Sequence, residues 1–437
     1  MATVATVSLL CALPFAVQGQ TAQKTEIEEV LVSASLIPIA ASRSANAITV
    51  IDSEHLKNRA ALSVSDLLRD VPGLAVSRSG VQGSATQIRV RGAEANHLLV
   101  LIDGVEANDP SQSDELNWGT LSAADIQRIE VIRGPQSAMR GSDAMAGVVN
   151  IITRRADQLL SAGLFTEIGS FGTHNSGFSI GSKQGDFDGR LGVNHIETEG
   201  ENISRTGTEK DGYKNTNVNL NAGWTVNDEL RLSFVARQSD GMNEFDSDMD
   251  FDGVVDDQDM VSEFRNSTMR VQGDYVSASG RFQQKLVIAQ SNNDNEAFDT
   301  GVLGTYTSST KDQYQYTGSV FWNESSQRLS VLAEREEEDF QQRGAINDYG
   351  IFGVYDPNQD RKRDTNSIAI EYRGDVSDRL SLAASARYDD NSEFDSANTF
   401  RVEAVYQLND GTRLRSAYGT AIKNPTFTER FGFYTNF

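Results

Sequence analysis

Several things are scarce in this chain, and each scarcity excludes something. There is one cysteine in 437 residues, Cys11. It sits in the leader-like stretch MATVATVSLLCALPFAVQGQ, so the processed chain is expected to have no disulfides and no thiolate chemistry. Basic residues are in deficit: 39 Lys and Arg stand against 62 Asp and Glu, a formal net charge of −23. A nucleic-acid partner is therefore not expected, because phosphate backbones require clustered cations. Histidine is limited to His55, His97, His174 and His195. None has zinc-ligand spacing or belongs to a nucleophile–base motif, and no Walker loop or dinucleotide fingerprint occurs. Catalysis has no visible carrier, and the chain is expected not to be an enzyme. No run of eighteen apolar residues follows the leader, so a transmembrane helix is not expected. A soluble exported protein and a membrane β-barrel both stay open.

The N-terminus is short, apolar and rich in small residues, and turns polar at Gln18. It reads as a signal peptide over residues 1–22, although no Lys or Arg precedes its apolar run. Composition then changes near residue 155. Before that point the segments are short and mixed. SVSDLLRDVPGL is a helix candidate, with Ser63 and Asp66 at capping-box spacing and Pro72-Gly73 as its stop. QIRVRG, HLLVLIDG, IQRIEVIRG and GVVNIIT read as strands, the second turning at Asp103-Gly104. Together they form a compact α+β unit.

After it, alternating segments dominate. NVNLNAGWTV sets Val218, Leu220, Ala222 and Trp224 on one face and Asn217, Asn219 and Asn221 on the other. RLSFVARQS, RLSLAASARYDD, FRVEAVYQL and TRLRSAYGTAI repeat the pattern. Each run has about nine to eleven residues, the length of a tilted strand crossing a bilayer. Short turns at 226–228 and 409–411 alternate with long polar loops, the asymmetry of an outer-membrane barrel. A soluble sandwich or β-helix also alternates, and small or aromatic outward positions opposite strongly polar ones favour the barrel.

One loop, DSDMDFDGVVDDQD, is densely acidic. With Asp248 as position one, Asp250, Asp252, the Val254 carbonyl, Asp256 and Asp259 fall at positions three, five, seven, nine and twelve, and Gly253 at six. That is the register of a twelve-residue calcium loop, with the shorter Asp in place of the bidentate Glu at twelve. A solvated acidic run is the alternative. DPNQDRKRD repeats part of the spacing without the glycine.

These segments, taken in order, resemble the TonB-dependent outer-membrane receptors, and among them the cobalamin (vitamin B12) transporters. EEVLVSAS resembles the TonB box. VSDLLRDVPGLAV, IRVRG, HLLVLIDGVEAND and IEVIRGPQSAMRGSDAMAGVVNIIT follow the order of the family's plug, and the last is the most specific. RYDDNSEF and AYGTAIKNPTFTERFGFYTNF resemble the middle of its barrel. The resemblance implies a mostly β protein: an N-terminal α+β plug followed by an antiparallel transmembrane β-barrel. The expected division is a TonB box and linker at 23–45, a plug at 46–155 and a partial barrel at 156–437. Family barrels are about 22-stranded. About 13–14 strands are expected here, so a C-terminally truncated chain is the expectation.

The resemblance also assigns roles. Glu29, Val30, Leu31, Val32, Ser33 and Ala34 form the expected TonB box, an extended run that offers main-chain hydrogen bonds to a sheet edge of the periplasmic TonB protein. An ordinary N-terminal strand is the alternative. Arg89, Arg91, Arg133 and Arg140 are expected to fork to carboxylates of the barrel wall. Substrate contacts are expected from plug loops 79–86 and 108–118, namely Ser79, Gln82, Ser84, Asn108, Ser111 and Trp118. In the cobalamin transporters calcium orders the external loops. The matching positions are Glu209 and Asp211 in TEKDGY, with Asp240 and Asp246 in the next loop. The implied function is TonB-dependent import of a scarce large ligand, cobalamin first and a siderophore or other metal chelate second, across the outer membrane whose lipid surrounds the barrel. A passive porin or a calcium-dependent adhesin would share the barrel and the acidic loop but needs neither plug nor TonB box.

Overall fold

A computed structural model describes residues 30–31, 35–205, 207–248, 252–348, 350, 353–409 and 411–432. Two sheets organise it. The smaller has five strands in the order Ala47–Ile51, Ile126–Arg133, Gly147–Thr153, Leu98–Ile102 and Val105–Glu106. One junction, Leu98–Ile102 against Gly147–Thr153, is parallel. Continuous apolar runs such as LLVLI and VVNII suit strands covered on both faces. Helices Ser53–Arg59 and Val64–Leu68 and the hairpin Leu74–Arg78/Thr86–Val90 flank the sheet. Val64, Leu67, Ile88, Ile129, Val131 and Val149 form its core. Ser63 does precede the second helix, but its hydroxyl donates to the Asp66 carboxylate at 2.9 Å instead of capping a backbone N–H.

The larger sheet has thirteen antiparallel strands, each beside its neighbour in sequence, from Ser161–Ile168 to Thr412–Gly419. Its strands reach 21 residues, as in Asp256–Val276 and Val302–Trp322. This exceeds the bilayer-crossing length read from the alternating runs. The ladder continues through polar residues that sequence periodicity assigns to loops, because β pairing needs backbone partners and not an apolar face.

Burial decides between barrel and sandwich. On Asp211–Thr225 the asparagines 215, 217, 219 and 221 are buried, whereas Val218, Leu220 and Trp224 are exposed, Trp224 by 42 %. A soluble sandwich would bury the apolar face. Here the buried polar face packs on the smaller sheet and the bare face carries Leu286, Ile288, Tyr314, Tyr316, Val331 and Ile370. Phe187 and Trp224 stack on that outer face at 5.6 Å. Among the described residues no helix is long and apolar enough to cross a membrane; the crossing elements are strands.

Candidate functional site

A cavity of about 660 Å³ opens between the plug loops and the wall. Its plug side is Ser79, Ser84, Gln87, Gln112, Glu115 and Asn117; its wall side includes Asn243, Phe245, Phe264, Asn266, Asn293, Asn295 and Thr307. Amides and hydroxyls dominate, the carboxylates Asp109, Glu115, Asp246 and Glu296 also border it, Phe245, Phe264, Leu116 and Ile203 give apolar contact, and none of the lining residues is Lys or Arg. Asn117 joins the plug loops by accepting from the backbone N–H of Thr86 (3.2 Å) and of Gly119 (3.1 Å). Gly119 is required there: a Cβ would lie 2.1 Å from the Ser84 carbonyl oxygen.

Of the expected substrate residues, Ser79 and Ser84 do line this cavity, and Gln82 does not. Asn108, Ser111 and Trp118 serve the interior instead. The Asn108 amide accepts from Val100 N–H (2.8 Å) and donates to the Leu98 and Asp114 carbonyls. Ser111 donates to Asp109 at 2.8 Å. Trp118 is 2 % exposed and belongs to the plug core. A polar loop that must turn beneath a ligand spends its first polar groups on its own backbone. Of the residues missed, Asn117 lies inside the expected plug loop 108–118 but was not singled out, and the wall asparagines lie in segments whose sequence gives no sign of facing the plug.

Beside the cavity three carboxylates converge. One oxygen each from Glu209, Asp246 and Asp257 lies within 4.8 Å of the others. Buried Glu209 Oε2, Asp211 Oδ1 and Asp246 Oδ2 have no hydrogen-bond partner. Burial, then Asp211, Asp246, Glu244 and Asp257, push the Glu209 carboxyl up to about 7. Asp246 is buried, Glu209 half-buried and Asp257 exposed; clustered carboxylates with free lone pairs are the donor set of a hard divalent cation, and the residues fit calcium.

The twelve-residue register is not what assembles them. Ser247 pairs with Asp256 and Phe245 with Met260, so Asp256 and Asp259 lie on a β ladder where successive side chains point to opposite faces. Asp248 is occupied by the N–H groups of Asp252 (3.1 Å) and Gly253 (2.9 Å). Asp252 accepts from Val254 N–H at 2.8 Å. None of these joins the converging group; Asp250 lies outside the described residues. Asp240 pairs with Arg265 at 2.5 Å. Asp211 accepts from Ile203 N–H. Asp257 was missed because it falls between ligand positions of the register.

The expected plug arginines are corrected likewise. Arg89 is exposed and donates to Gln87 of its own strand. Arg91 is exposed at a positive φ of 53°. Arg133 donates to the Pro72 carbonyl and to Thr49 Oγ1, all within the plug. Arg140, half-buried, is the one of the four that lies in the field of the wall residues Glu334, Glu371 and Arg387. Elsewhere the polarity is reversed, with cations on the barrel side and acceptors on the plug. Lys311 meets Glu106 at 2.6 Å, Arg190 meets Asp125 at 2.7 Å, and Arg401 donates to the Pro135 carbonyl at 2.7 Å. A plug surface rich in carbonyls and carboxylates selects forked donors on the wall.

Near the N-terminus, Val30–Leu31 pairs antiparallel with Ile39–Ala40. Glu29, Val32, Ser33 and Ala34 lie outside the described residues. Ser35 donates to the buried Glu371 carboxylate at 2.6 Å.

A polar-lined β wall with an apolar outer face, filled by a small α+β domain, defines a plugged outer-membrane receptor. Family models agree: the TonB-dependent Receptor Plug Domain matches residues 40–148 and the TonB dependent receptor-like β-barrel matches 157–437. The chain belongs to the TonB-dependent receptors, a family of outer-membrane β-barrel proteins. It is 26 % identical over 388 residues to the Vitamin B12 transporter BtuB of Vibrio vulnificus (strain CMCP6), covering 87 % of this chain and 61 % of that one. Its fold is similar to the siderophore receptor PirA from Acinetobacter baumannii (TM-score 0.72, 20 % identity, 87 % of this chain, 61 % of that one). It is also similar to the ferripyoverdine receptor of Pseudomonas aeruginosa (TM-score 0.72, 14 % identity, 91 % and 60 %). The chain thus spans about three fifths of the length of these relatives.

Proposed function

We propose that this protein imports a scarce, large ligand across the outer membrane, driven by a periplasmic TonB protein that engages residues 29–34. The ligand seats in the cavity between plug and wall, the plug relays its arrival, and the TonB box is pulled from the other side. The observation that carries this reading is the cavity itself, which lies between the plug loops and the polar face of the wall.

Cobalamin is the first ligand. A relative named as a vitamin B12 transporter supports it. So does the lining: amides and hydroxyls without a cation suit an uncharged, amide-rich molecule better than an anionic chelate. A ferric siderophore is the alternative. Calcium held by Glu209, Asp246 and Asp257, with Asp211 adjacent, would order the rim; a weak site of ~0.1–1 mM affinity suffices in an external medium. Deletion of residues 29–34 tests the import reading. Cyanocobalamin uptake is expected to vanish while surface binding persists, and undiminished uptake would overturn it. Titration of cyanocobalamin with and without calcium separates ligand from metal.

A further inference from the structure

Two cavities lie against the same stretch of wall at different depths. On the strand Asp256–Val276, Phe264 and Asn266 border the cavity described above, whereas Arg270 and Gln272 border a second one of about 460 Å³. The next strand, Phe282–Asp299, repeats the order, with Asn293 and Asn295 on the first cavity and Lys285 and Val287 on the second. So does Val302–Trp322, with Thr305 and Thr307, then Gln313 and Gln315. At ~3.3 Å per residue, the step from Asn266 to Arg270 is roughly 13 Å, so the partition between the cavities is thin.

That partition is one piece of plug, residues 103–109. Asp103, Gly104 and Glu106 border the second cavity; Ala107 and Asp109 border the first. Val105 packs on Val287 and Ala289 of the wall. Glu106 meets Lys311 at 2.6 Å, both side chains being buried, and Lys311 also meets Glu338 at 2.9 Å. Asp109 accepts from Ser309 (2.7 Å) and Asn295 (2.9 Å). Gly104, at a φ of +81°, leaves room for the Arg270 guanidinium, which a Cβ would meet at 2.4 Å.

Within the plug the same piece is the edge of the sheet, with Asn108 behind it bonded to Val100 N–H and the Leu98 carbonyl. Val105–Glu106 is a two-residue edge strand, paired only with Leu98–Ile102. Edge elements with few ladder bonds open at lower cost than a central sheet. The second cavity also reaches Ile37 and Pro38, in the linker just after the TonB box. A pull on the N-terminus therefore acts at the mouth of the path.

We propose that the ligand crosses along the wall formed by Asp256–Val276, Phe282–Asp299 and Val302–Trp322, and that residues 105–109, latched by the Glu106–Lys311 pair, are the gate between the two cavities. Shifting this edge joins the cavities while the central plug strands stay in place. The proposal rests on the import reading given above.

Disulfide tethers test it, since Cys11 is the sole native cysteine. Val105→Cys with Ala289→Cys staples the gate to the wall. Ser122→Cys with Asn194→Cys staples the plug elsewhere, at a side-chain contact of 3.0 Å. Both oxidised receptors should bind radiolabelled cyanocobalamin at the cell surface, which reports an intact fold. The first pair should cut uptake to background until dithiothreitol is added, and the second should leave it near the untethered level. Full uptake through the first tether, or equal block by both, overturns the route. If the untethered receptor takes up no cyanocobalamin, the ligand reading fails instead, and the route is read by conductance. Glu106→Gln with Lys311→Met in planar bilayers with KCl should then conduct more than the unsubstituted receptor, and equal conductance overturns the gate.

Discussion

The Lys423 ammonium lies 2.6 Å from the Asp143 carboxylate, with Asp114 at 2.9 Å on its other side. Lys423 follows the last wall strand, and both acids belong to the plug. The segment around it turns toward the plug, where Asn424 N–H donates to Ser142 Oγ at 2.8 Å. Phe427 then stacks on Phe340 of the wall at 5.2 Å with the Arg363 guanidinium over its ring. One lysine thus pins two plug loops to the barrel.

Lys423→Met leaves the buried Asp114 carboxylate without its cation and Asp143 with only Lys311, at 3.6 Å. Removing one partner of a buried ion pair costs about 3–5 kcal/mol, because the remaining charge stays desolvated. The variant should lose plug docking first, seen as faster proteolysis of the plug and a lower melting transition. Wild-type behaviour in both assays would show that the lysine does not hold the plug.

The converging carboxylates predict cation binding that does not depend on the twelve-residue register. Glu209→Gln with Asp246→Asn should weaken calcium binding by more than ~10-fold, since loss of even a group that only supports a metal ligand costs about 10–100-fold. Asp256→Asn with Asp259→Asn should leave it nearly unchanged. A calcium titration followed by terbium luminescence distinguishes the pairs.

Binding at this site should also depend on pH. The Glu209 carboxyl is raised from 4.5 to about 7 in the folded receptor. Without a cation, ionising it therefore costs stability that grows as pH rises from the unfolded value through the folded one. A cation must displace the proton below that pH. Affinity should be about tenfold higher at pH 8 than at pH 6, the ratio of ionised Glu209 at the two values. Equal affinities at both pH values would mean that Glu209 does not bind the ion.

Asn117→Ala tests the cavity. It removes the acceptor that both Thr86 and Gly119 N–H groups use, at about 1–3 kcal/mol for a buried donor left unpaired. The loss should fall mainly on cyanocobalamin affinity, because the joined loops form the cavity's plug side. Gln82→Ala, off the lining, is the matched control.

Ile288→Arg tests the membrane face. Ile288 is half exposed on the outer surface between Val271 and Tyr314. An arginine there should cost about 2–4 kcal/mol near the bilayer midplane. Folding into lipid vesicles of graded urea content measures it, and a neutral result would place this face away from hydrocarbon.

Periodicity made much of the architecture legible in advance. LLVLI and VVNII announce buried strands, and the alternation of Asn217, Val218, Asn219 and Leu220 announces a two-faced one. Local order suffices for these because strand geometry is itself local, with side chains alternating at every residue. Which face is buried was decided only by tertiary structure, since the same alternation builds a sandwich or a barrel.

The site depended still more on tertiary structure. Glu209 lies in a loop and Asp246 and Asp257 on two neighbouring strands, whereas Asp248 and Asp252 are used up in the turn between those strands and Asp256 and Asp259 point to opposite faces of the ladder. Arg133 turned inward on its own domain, and Lys311, in an unremarked stretch, and Lys423, in a segment noted only for its resemblance to the barrel, took the plug contacts expected of Arg89, Arg91 and Arg133. Sequence by itself determined the strands, their two-faced pattern and the family. Folding decided which charges face each other, because a Coulomb interaction depends on distance in space and burial, and neither is written in residue spacing.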